Sequence, residues 1–370
     1  MNGIYVHIPF CLKKCKYCDF VSFDNSYDKI SEYIDAVILE MEEYKGEKAD
    51  TVYIGGGTPT SIPRNLLILL IDKIKENFSL TPDCEITVEC NPKTADLDYF
   101  KALKASEVNR LSVGIQSMKD DELSFLGRVH TSIDCRNCID MIKEAGFSNF
   151  NVDLMFGIFN QTKESVINSL KELISYSPAH FSCYSLIVEE NTPFGQMQKA
   201  GTPLLMDEDG ERELYRTITS ILKENGYEKY EISNYAKEGY RSKHNTKYWT
   251  RSPYIGLGCG AHSFYENKRF ENPPQISEYI SFVKDKEKRD KDIVTQDDAI
   301  CEFIFLGLRM TEGISKSEFK KCFGKDIFSL YNSKINELIS LGLLIEKGDF
   351  LYLSDKGVDV SNEVFVRFLN

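Results

Sequence analysis

Three cysteines near the start of the chain, in Cys11-Leu12-Lys13-Lys14-Cys15-Lys16-Tyr17-Cys18, have C-x3-C-x2-C spacing. Thiolates this close in sequence can wrap one corner of a cubane iron–sulfur cluster, each ligating a different iron. A fourth protein ligand would complete an electron-transfer cluster. With three, one iron keeps an open position, the logic that separates catalytic from structural zinc sites. An open iron can chelate the amino and carboxylate groups of S-adenosylmethionine (SAM), and an electron from the cluster can then split the sulfonium bond to give a 5′-deoxyadenosyl radical. Zinc is the alternative, with His7 able to supply a fourth ligand. Lys13, Lys14 and Lys16 make the loop positive, which suits an acidic, flavodoxin-like electron donor or plain solvation. The other close pair, Cys135 and Cys138, falls inside a helix pattern with no partner motif and is expected to be two ordinary helix positions.

Further polar residues fall at the ends of predicted strands, where parallel α/β barrels hold their ligands. Gly55-Gly56-Gly57-Thr58-Pro59 follows the strand Thr51–Ile54 and lets a ligand approach the backbone closely. Glu89 ends a strand and can hold a pair of ribose hydroxyls; Gln116 ends the next. Arg128 can reach a carboxylate, and Asp153 is a charge inside the apolar run Asn151–Met155. Each has an ordinary reading as a buried polar group, but convergence on successive strands favours one pocket.

The elements that must position these residues alternate. Strands are expected at Ile4–Ile8, Thr51–Ile54, Glu85–Glu89, Arg110–Gln116, Phe150–Met155, His180–Val188 and Lys229–Ser233. Amphipathic helices are expected at Ser31–Tyr44, Asn65–Phe78, Ile133–Glu144, Glu164–Ser175 and Asp207–Asn225. Such βα alternation predicts an α/β fold with a parallel sheet, as a barrel or an open layer. Residues 1–235 form this core, and 236–290 break the pattern. There Pro253–Gly260 has the glycine and aromatic content of a functional loop or bridge. Residues 291–370 differ again: three helix patterns (Asp297–Met310, Ser315–Phe323, Ser329–Ile339), two short strands (Leu344–Glu346, Leu351–Leu353) and a helix from Asp355 predict a small, mainly helical, winged-helix-like domain. That shape often binds DNA, but in a chain of 370 residues with net charge −12 a packing domain is the simpler expectation, and nucleic acid is not an expected partner. No apolar run reaches a membrane span, and the N-terminus does not resemble a signal peptide. Eleven cysteines without an export signal then imply reduced thiols and a cytoplasmic setting.

Four segments carry a resemblance: Tyr5-Val6-His7-Ile8-Pro9-Phe10-Cys11, Gly55–Pro59, Asn109–Ser117 and Asn151–Gly157. With them the chain resembles the oxygen-independent coproporphyrinogen III oxidase superfamily of radical SAM proteins. The resemblance implies a partial (β/α)6 TIM-like barrel, a 4Fe–4S cluster on Cys11, Cys15 and Cys18, and SAM at Tyr5, Tyr17, Gly56, Gly57, Thr58, Glu89, Gln116, Arg128, Asp153 and Ile187. Two features bear on the branch. In the oxidases a fourth cysteine follows the triplet after one residue, where this chain has Phe20. The segment His244-Asn245-Thr246-Lys247-Tyr248-Trp249, with the only tryptophan, resembles the signature of a branch of heme chaperones. That implies heme as a further cofactor, with His244, Asn245, Tyr248 and Trp249 as its candidate contacts and His262 or Cys259 as competing ligands, and haemoproteins as recipients. Porphyrinogen decarboxylation is the alternative activity, and a homodimer joined near the basic loop is a conceivable assembly. Phe159-Asn160 stands where relatives usually carry Pro-Gly.

Overall fold

The computed structural model describes residues 1–369. Six parallel strands run in chain order: β1 (Asn2–Ile8), β2 (Lys48–Gly56), β3 (Ser79–Cys90), β4 (Arg110–Gln116), β5 (Phe150–Phe156) and β6 (His180–Ser185). Each neighbours the next because a helix returns the chain between them. Period-two alternation gives the strands two unlike faces. Ile4, Val6, Val52, Ile54, Val88, Leu111, Val113 and Val152 are buried in one core with Ile34, Val37, Leu67 and Ile71 of the covering helices. The opposite register is polar: Tyr5, His7, Tyr53, Glu89, Arg110, Ser112, Asp153 and His180. The barrel interior is therefore built to hold something hydrophilic.

The seventh expected strand, Lys229–Ser233, is broken in two. The buried carboxylate of Glu231 accepts bonds from Ser233 N and Asn234 Nδ2 and turns the chain. What results is an antiparallel hairpin, β7 (Glu228–Lys229) and β8 (Asn234–Ala236), on the edge of β6. The stretch Pro253–Gly260 is also corrected. It contains β9 (Tyr254–Leu257), a buried strand parallel to β1, followed by the antiparallel strands β10 (His262–Tyr265), β11 (Lys268–Glu271) and β12 (Asp292–Ile293). Glycine is required here: a side chain at Gly256 would fall 2.1 Å from the carbonyl of His262. The whole sheet has twelve strands in the order β12-β11-β10-β9-β1-β2-β3-β4-β5-β6-β8-β7 and does not close.

Helices fall where expected, within three residues at each end: Ile30–Met41, Arg64–Asn77, Ser132–Glu144, Lys163–Ser175 and Glu208–Glu224. Thr131 and Thr162 start two of them with reciprocal capping boxes. The helix Lys243–Trp249 was not anticipated; Ser242 caps it, and Glu85 accepts the N–H groups of Lys243 and His244.

The C-terminal part has its own core, in which Ile304, Leu308, Phe319, Ile335, Leu344 and Leu351 are packed together. Helices Gln296–Gly307, Lys316–Phe323 and Ile327–Ser340 stand beside a sheet of β13 (Ile314–Ser315), β15 (Phe350–Leu353) and β14 (Leu344–Lys347). The short β13 adds a third strand to the expected hairpin. This unit is pinned to the barrel by Glu302, which takes Arg251 and Arg269 at 2.6 Å each, and by the Arg309–Glu231 pair.

Candidate functional site

One cavity lies at the carboxyl ends of the parallel strands, where the chain leaves β1 into the cysteine loop. Cys11, Cys15 and Cys18 all line it, as unpaired and half-buried thiols. Burial raises the Cys11 thiol to about 11, with the neighbouring thiols adding to the effect. Thr58 Oγ1 lies 3.6 Å from Cys11 Sγ, and Arg128 Nη1 donates to Cys15 Sγ at 3.4 Å. Donors aimed at sulfur favour the thiolate that a metal needs. Zinc with His7 does not fit. His7 Nδ1 is engaged by Tyr5 Oη at 2.9 Å and Nε2 by the Val21 carbonyl at 2.7 Å. Among the described residues no group of three His, Cys, Asp or Glu side chains is placed to hold a single metal ion. Three thiols ranged around a cavity suit a cluster in which each meets a different iron.

The glycine run forms one wall. Gly56 has a φ of +112°, and a side chain on it would strike the His7 ring. At Gly57 a Cβ would fall 2.8 Å from the Phe10 carbonyl, so the loop lies flat against the backbone beneath it. Glu89 completes that wall: Tyr53 Oη donates to its Oε1 at 2.6 Å and Gly56 N to its Oε2 at 3.2 Å. Burial dominates and pushes the Glu89 carboxyl up to about 7. Across the cavity, Arg128 donates to the Gly114 carbonyl at 2.7 Å and to Asn91 Oδ1. Gln116 closes β4 at a φ of +70°, a strained conformation for this residue, with its Oε1 held by Tyr184 Oη at 2.8 Å. Asp153 accepts from Asn151 Nδ2 at 2.6 Å, and burial raises its carboxyl.

The structure thus gathers Cys11, Cys15, Cys18, Tyr17, Gly56, Gly57, Thr58, Glu89, Gln116, Arg128 and Asp153 around one cavity. Tyr5 lies below it, bonded to His7 and near the rings of Tyr53 and His244. Ile187 stands 67% exposed in the loop after β6. Asn91, Ser112, Gly114 and Tyr184 also line the cavity and were not singled out from sequence. Two-residue steps back from Gln116 along β4 reach Gly114 and Ser112, so that signal was available.

His244, Asn245, Tyr248 and Trp249 are not brought to this cavity. Their helix sits under the amino ends of β1 to β3, against Gly3, Thr51 and Glu85. The His244 imidazole is wholly buried, with Nδ1 2.9 Å from Thr51 Oγ1 and Nε2 3.0 Å from Tyr248 Oη. The expected porphyrin ligand is thus an imidazole with both nitrogens engaged. Trp249 packs with Tyr230 and Met310 beneath the Arg309 guanidinium, 4.3 Å from the ring centroid. Of the competing ligands, Cys259 is buried and His262 is exposed, paired with Glu271 at 3.2 Å. Asn160 has a φ of +62°, a left-handed conformation that asparagine tolerates better than most residues with a side chain.

Comparison with known proteins finds matches along the whole chain. The radical SAM superfamily model matches residues 5–173, and the HemN C-terminal domain model matches 294–360. The chain is 37% identical to a protein named heme chaperone HemW from Bacillus subtilis (strain 168), over 100% of this chain and 99% of that one. It is 31% identical to the Escherichia coli (strain K12) protein of the same name, over 99% and 98% of the two chains. Among solved structures, coproporphyrinogen III oxidase (HemN) from Escherichia coli, described as a radical SAM enzyme, superposes with a TM-score of 0.85 at 22% identity, covering 99% of this chain and 89% of that one. That likeness establishes the fold.

Proposed function

The chain belongs to the heme chaperone HemW family of the radical SAM superfamily, and on that premise we propose that it binds heme and passes it to haemoproteins, while holding a 4Fe–4S cluster and SAM in the cavity at the strand ends. The end-to-end identity with proteins named as heme chaperones carries this reading. The oxidase is matched at a lower identity, in fold.

Cys11, Cys15 and Cys18 would ligate the cluster. Gly56, Gly57 and Thr58 would border the methionine part of SAM, Arg128 its carboxylate, and Glu89 its ribose hydroxyls. Gln116, Asp153, Tyr17 and Ile187 would complete the contacts, with Tyr5 behind them. When bound, the cluster supplies one electron to the sulfonium of SAM. The chain's own residues neutralise and orient. Arg128 brings a buried positive charge to Cys15, and Tyr53 and Gly56 fix the rotamer of Glu89. Phe20, 71% exposed on the cavity rim, occupies the place of the oxidases' fourth cysteine, which separates this loop from theirs. Lys13 and Lys16 offer an acidic electron donor a positive rim. Among the described residues no helix is long and apolar enough to cross a membrane.

Two assays on the anaerobically reconstituted chain test the reading. Heme loaded onto the chain is expected to move to an apo-haemoprotein, seen as a shift of the Soret band. With coproporphyrinogen III, SAM and reductant, no vinyl-bearing product is expected. Vinyl product would replace the chaperone by the decarboxylase.

A further inference from the structure

The polar interior continues below the cavity to the base of the barrel in two lines of side chains. The first descends from Glu89. Tyr53, which donates to Glu89 Oε1 at 2.6 Å, stacks on the His244 imidazole with ring centroids 5.3 Å apart at 28°. His244 is held in turn by Thr51 and Tyr248. The second descends from Asp153. Asn151 donates to Asp153 Oδ1 at 2.6 Å, and its own Oδ1 lies 2.6 Å from His180 Nδ1. His180 Nε2 lies 2.8 Å from Tyr230 Oη, which accepts the N–H of Ser242 at 3.3 Å. One set of donors satisfies the whole second line: Ser242 N–H to Tyr230, Tyr230 O–H to His180 Nε2, and His180 Nδ1–H to Asn151. Both lines end on one element, the helix Lys243–Trp249 and its capping residue Ser242.

We propose that Tyr53 and His244 on one side, and Asn151 and His180 on the other, are positioning residues for Glu89 and Asp153, so that the helix Lys243–Trp249 sets the SAM-binding layer from beneath and is not the source of a heme ligand. The inference rests on the reading of the cavity as a SAM site. A half-buried carboxylate bonded in one rotamer presents its lone pairs to a ligand without reorganising, and a tyrosine ring stacked on the buried His244 keeps it there. Buried polar networks are also unforgiving, since a member left unpaired bears its full desolvation cost. That gives the helix leverage over a site at the far end of the strands. The same helix touches the C-terminal unit through Trp249 and Arg309, which places the base of the barrel between that unit and the cavity.

The groups that face Glu89 are Tyr53 from β2, Tyr5 from β1, Arg110 from β4, Asp153 from β5 and Tyr248 from the helix. Burial puts the Glu89 carboxyl at about 7, and the bond from Tyr53 pulls it down. A carboxylate that accepts ribose hydroxyls must be ionised, so SAM binding should tighten as the pH rises through about 7. Deleting the Tyr53 hydroxyl should move that midpoint upward.

The test is SAM affinity of the cluster-loaded chain from pH 6 to 9, measured by calorimetry, with heme binding followed at the Soret band in the same preparations. Tyr53→Phe, which conserves volume, is expected to weaken SAM binding about tenfold at pH 7 and to shift its pH midpoint upward. His244→Gln is expected to give a smaller loss in the same direction, and both variants should keep the wild-type Soret titration. Unchanged SAM affinity and pH profile in both variants would overturn the proposal. So would a His244→Gln protein that binds SAM normally and loses the heme band, because His244 would then be a ligand. Wild type that holds the cluster and takes no SAM would overturn the cavity reading itself. Wild type that takes SAM and ignores heme would overturn the chaperone reading and leave the positioning result standing.

Discussion

At the mouth of the barrel the thiols of Cys11, Cys15 and Cys18 are half-buried and Phe20 projects into solvent, whereas at the base His180 and His244 are wholly buried with every ring nitrogen engaged. The two regions are joined by polar side chains on the inner register of the same strands, Glu89 and Asp153 above and Tyr53, Asn151 and His180 below. The mouth leaves its reactive groups under-satisfied and accessible, as a site awaiting a ligand requires. The base satisfies its two imidazoles internally, as a foundation requires, while Arg110 Nε and Nη1 and Trp249 Nε1 are buried there without a partner. Substitutions at the mouth should therefore change what the protein binds, and substitutions at the base should change stability and, through it, geometry.

The largest expected effect is at the mouth. Cys15→Ala should abolish retained iron and sulfide after anaerobic reconstitution, and SAM binding with them, while circular dichroism stays that of the wild type. Retention of a full cluster would move the metal site elsewhere.

The next effect is acid sensitivity from the base. Burial holds His244 at about 3 and His180 also well below its ordinary value, against about 6.5 when unfolded. The unfolded chain then binds more protons below 6.5, so stability is full above that pH and falls as the pH drops towards 4. The loss is on the order of 3 kcal/mol for His244, and His180 adds a loss of the same sign. Urea unfolding at steps between pH 7 and 4 checks this, with His244→Gln expected to show a shallower fall. Glu89 at the mouth has the opposite sign. Its folded value of about 7 lies above the unfolded carboxylate value, so the difference in stability between wild type and Glu89→Gln should fall as pH rises from about 4.3 to 7. A difference independent of pH would remove the buried environment assigned to it.

A smaller effect belongs to Glu85, whose carboxylate takes the N–H groups of Lys243 and His244. Glu85→Ala should cost about 2 kcal/mol in unfolding free energy and loosen SAM binding through the helix it caps. The smallest is Phe20→Ser, which should leave unfolding within about 0.5 kcal/mol of wild type because the ring has little packing to lose.

The mouth was legible in the sequence and the base was not, for physical reasons. Cysteine spacing, a glycine run after a strand and polar residues at strand ends are local signals, and the strands that project them show a simple apolar alternation. The C-terminal unit was legible on the same grounds, from helix periods followed by a hairpin. At the base, the contacts that matter join residues far apart, such as Tyr53 with His244 and His180 with Tyr230, and no local pattern pairs them. Local signals also misled. Gly256 and Gly258 make β9 resemble a loop, although Ile255 and Leu257 are wholly buried beside β1. Glu231 turned an expected strand into a hairpin because its buried carboxylate captures two nearby donors. His244 was a candidate heme contact through the resemblance of its segment to a heme-chaperone signature, and nothing local in that segment shows that its ring is buried with both nitrogens engaged.

The most direct test of the chaperone reading is a heme titration of the anaerobically reconstituted chain, with iron, sulfide and the Soret band followed in one sample. A saturating Soret transition on protein that keeps its full cluster is the predicted result. Protein that keeps its cluster and leaves heme unbound across the titration would contradict it.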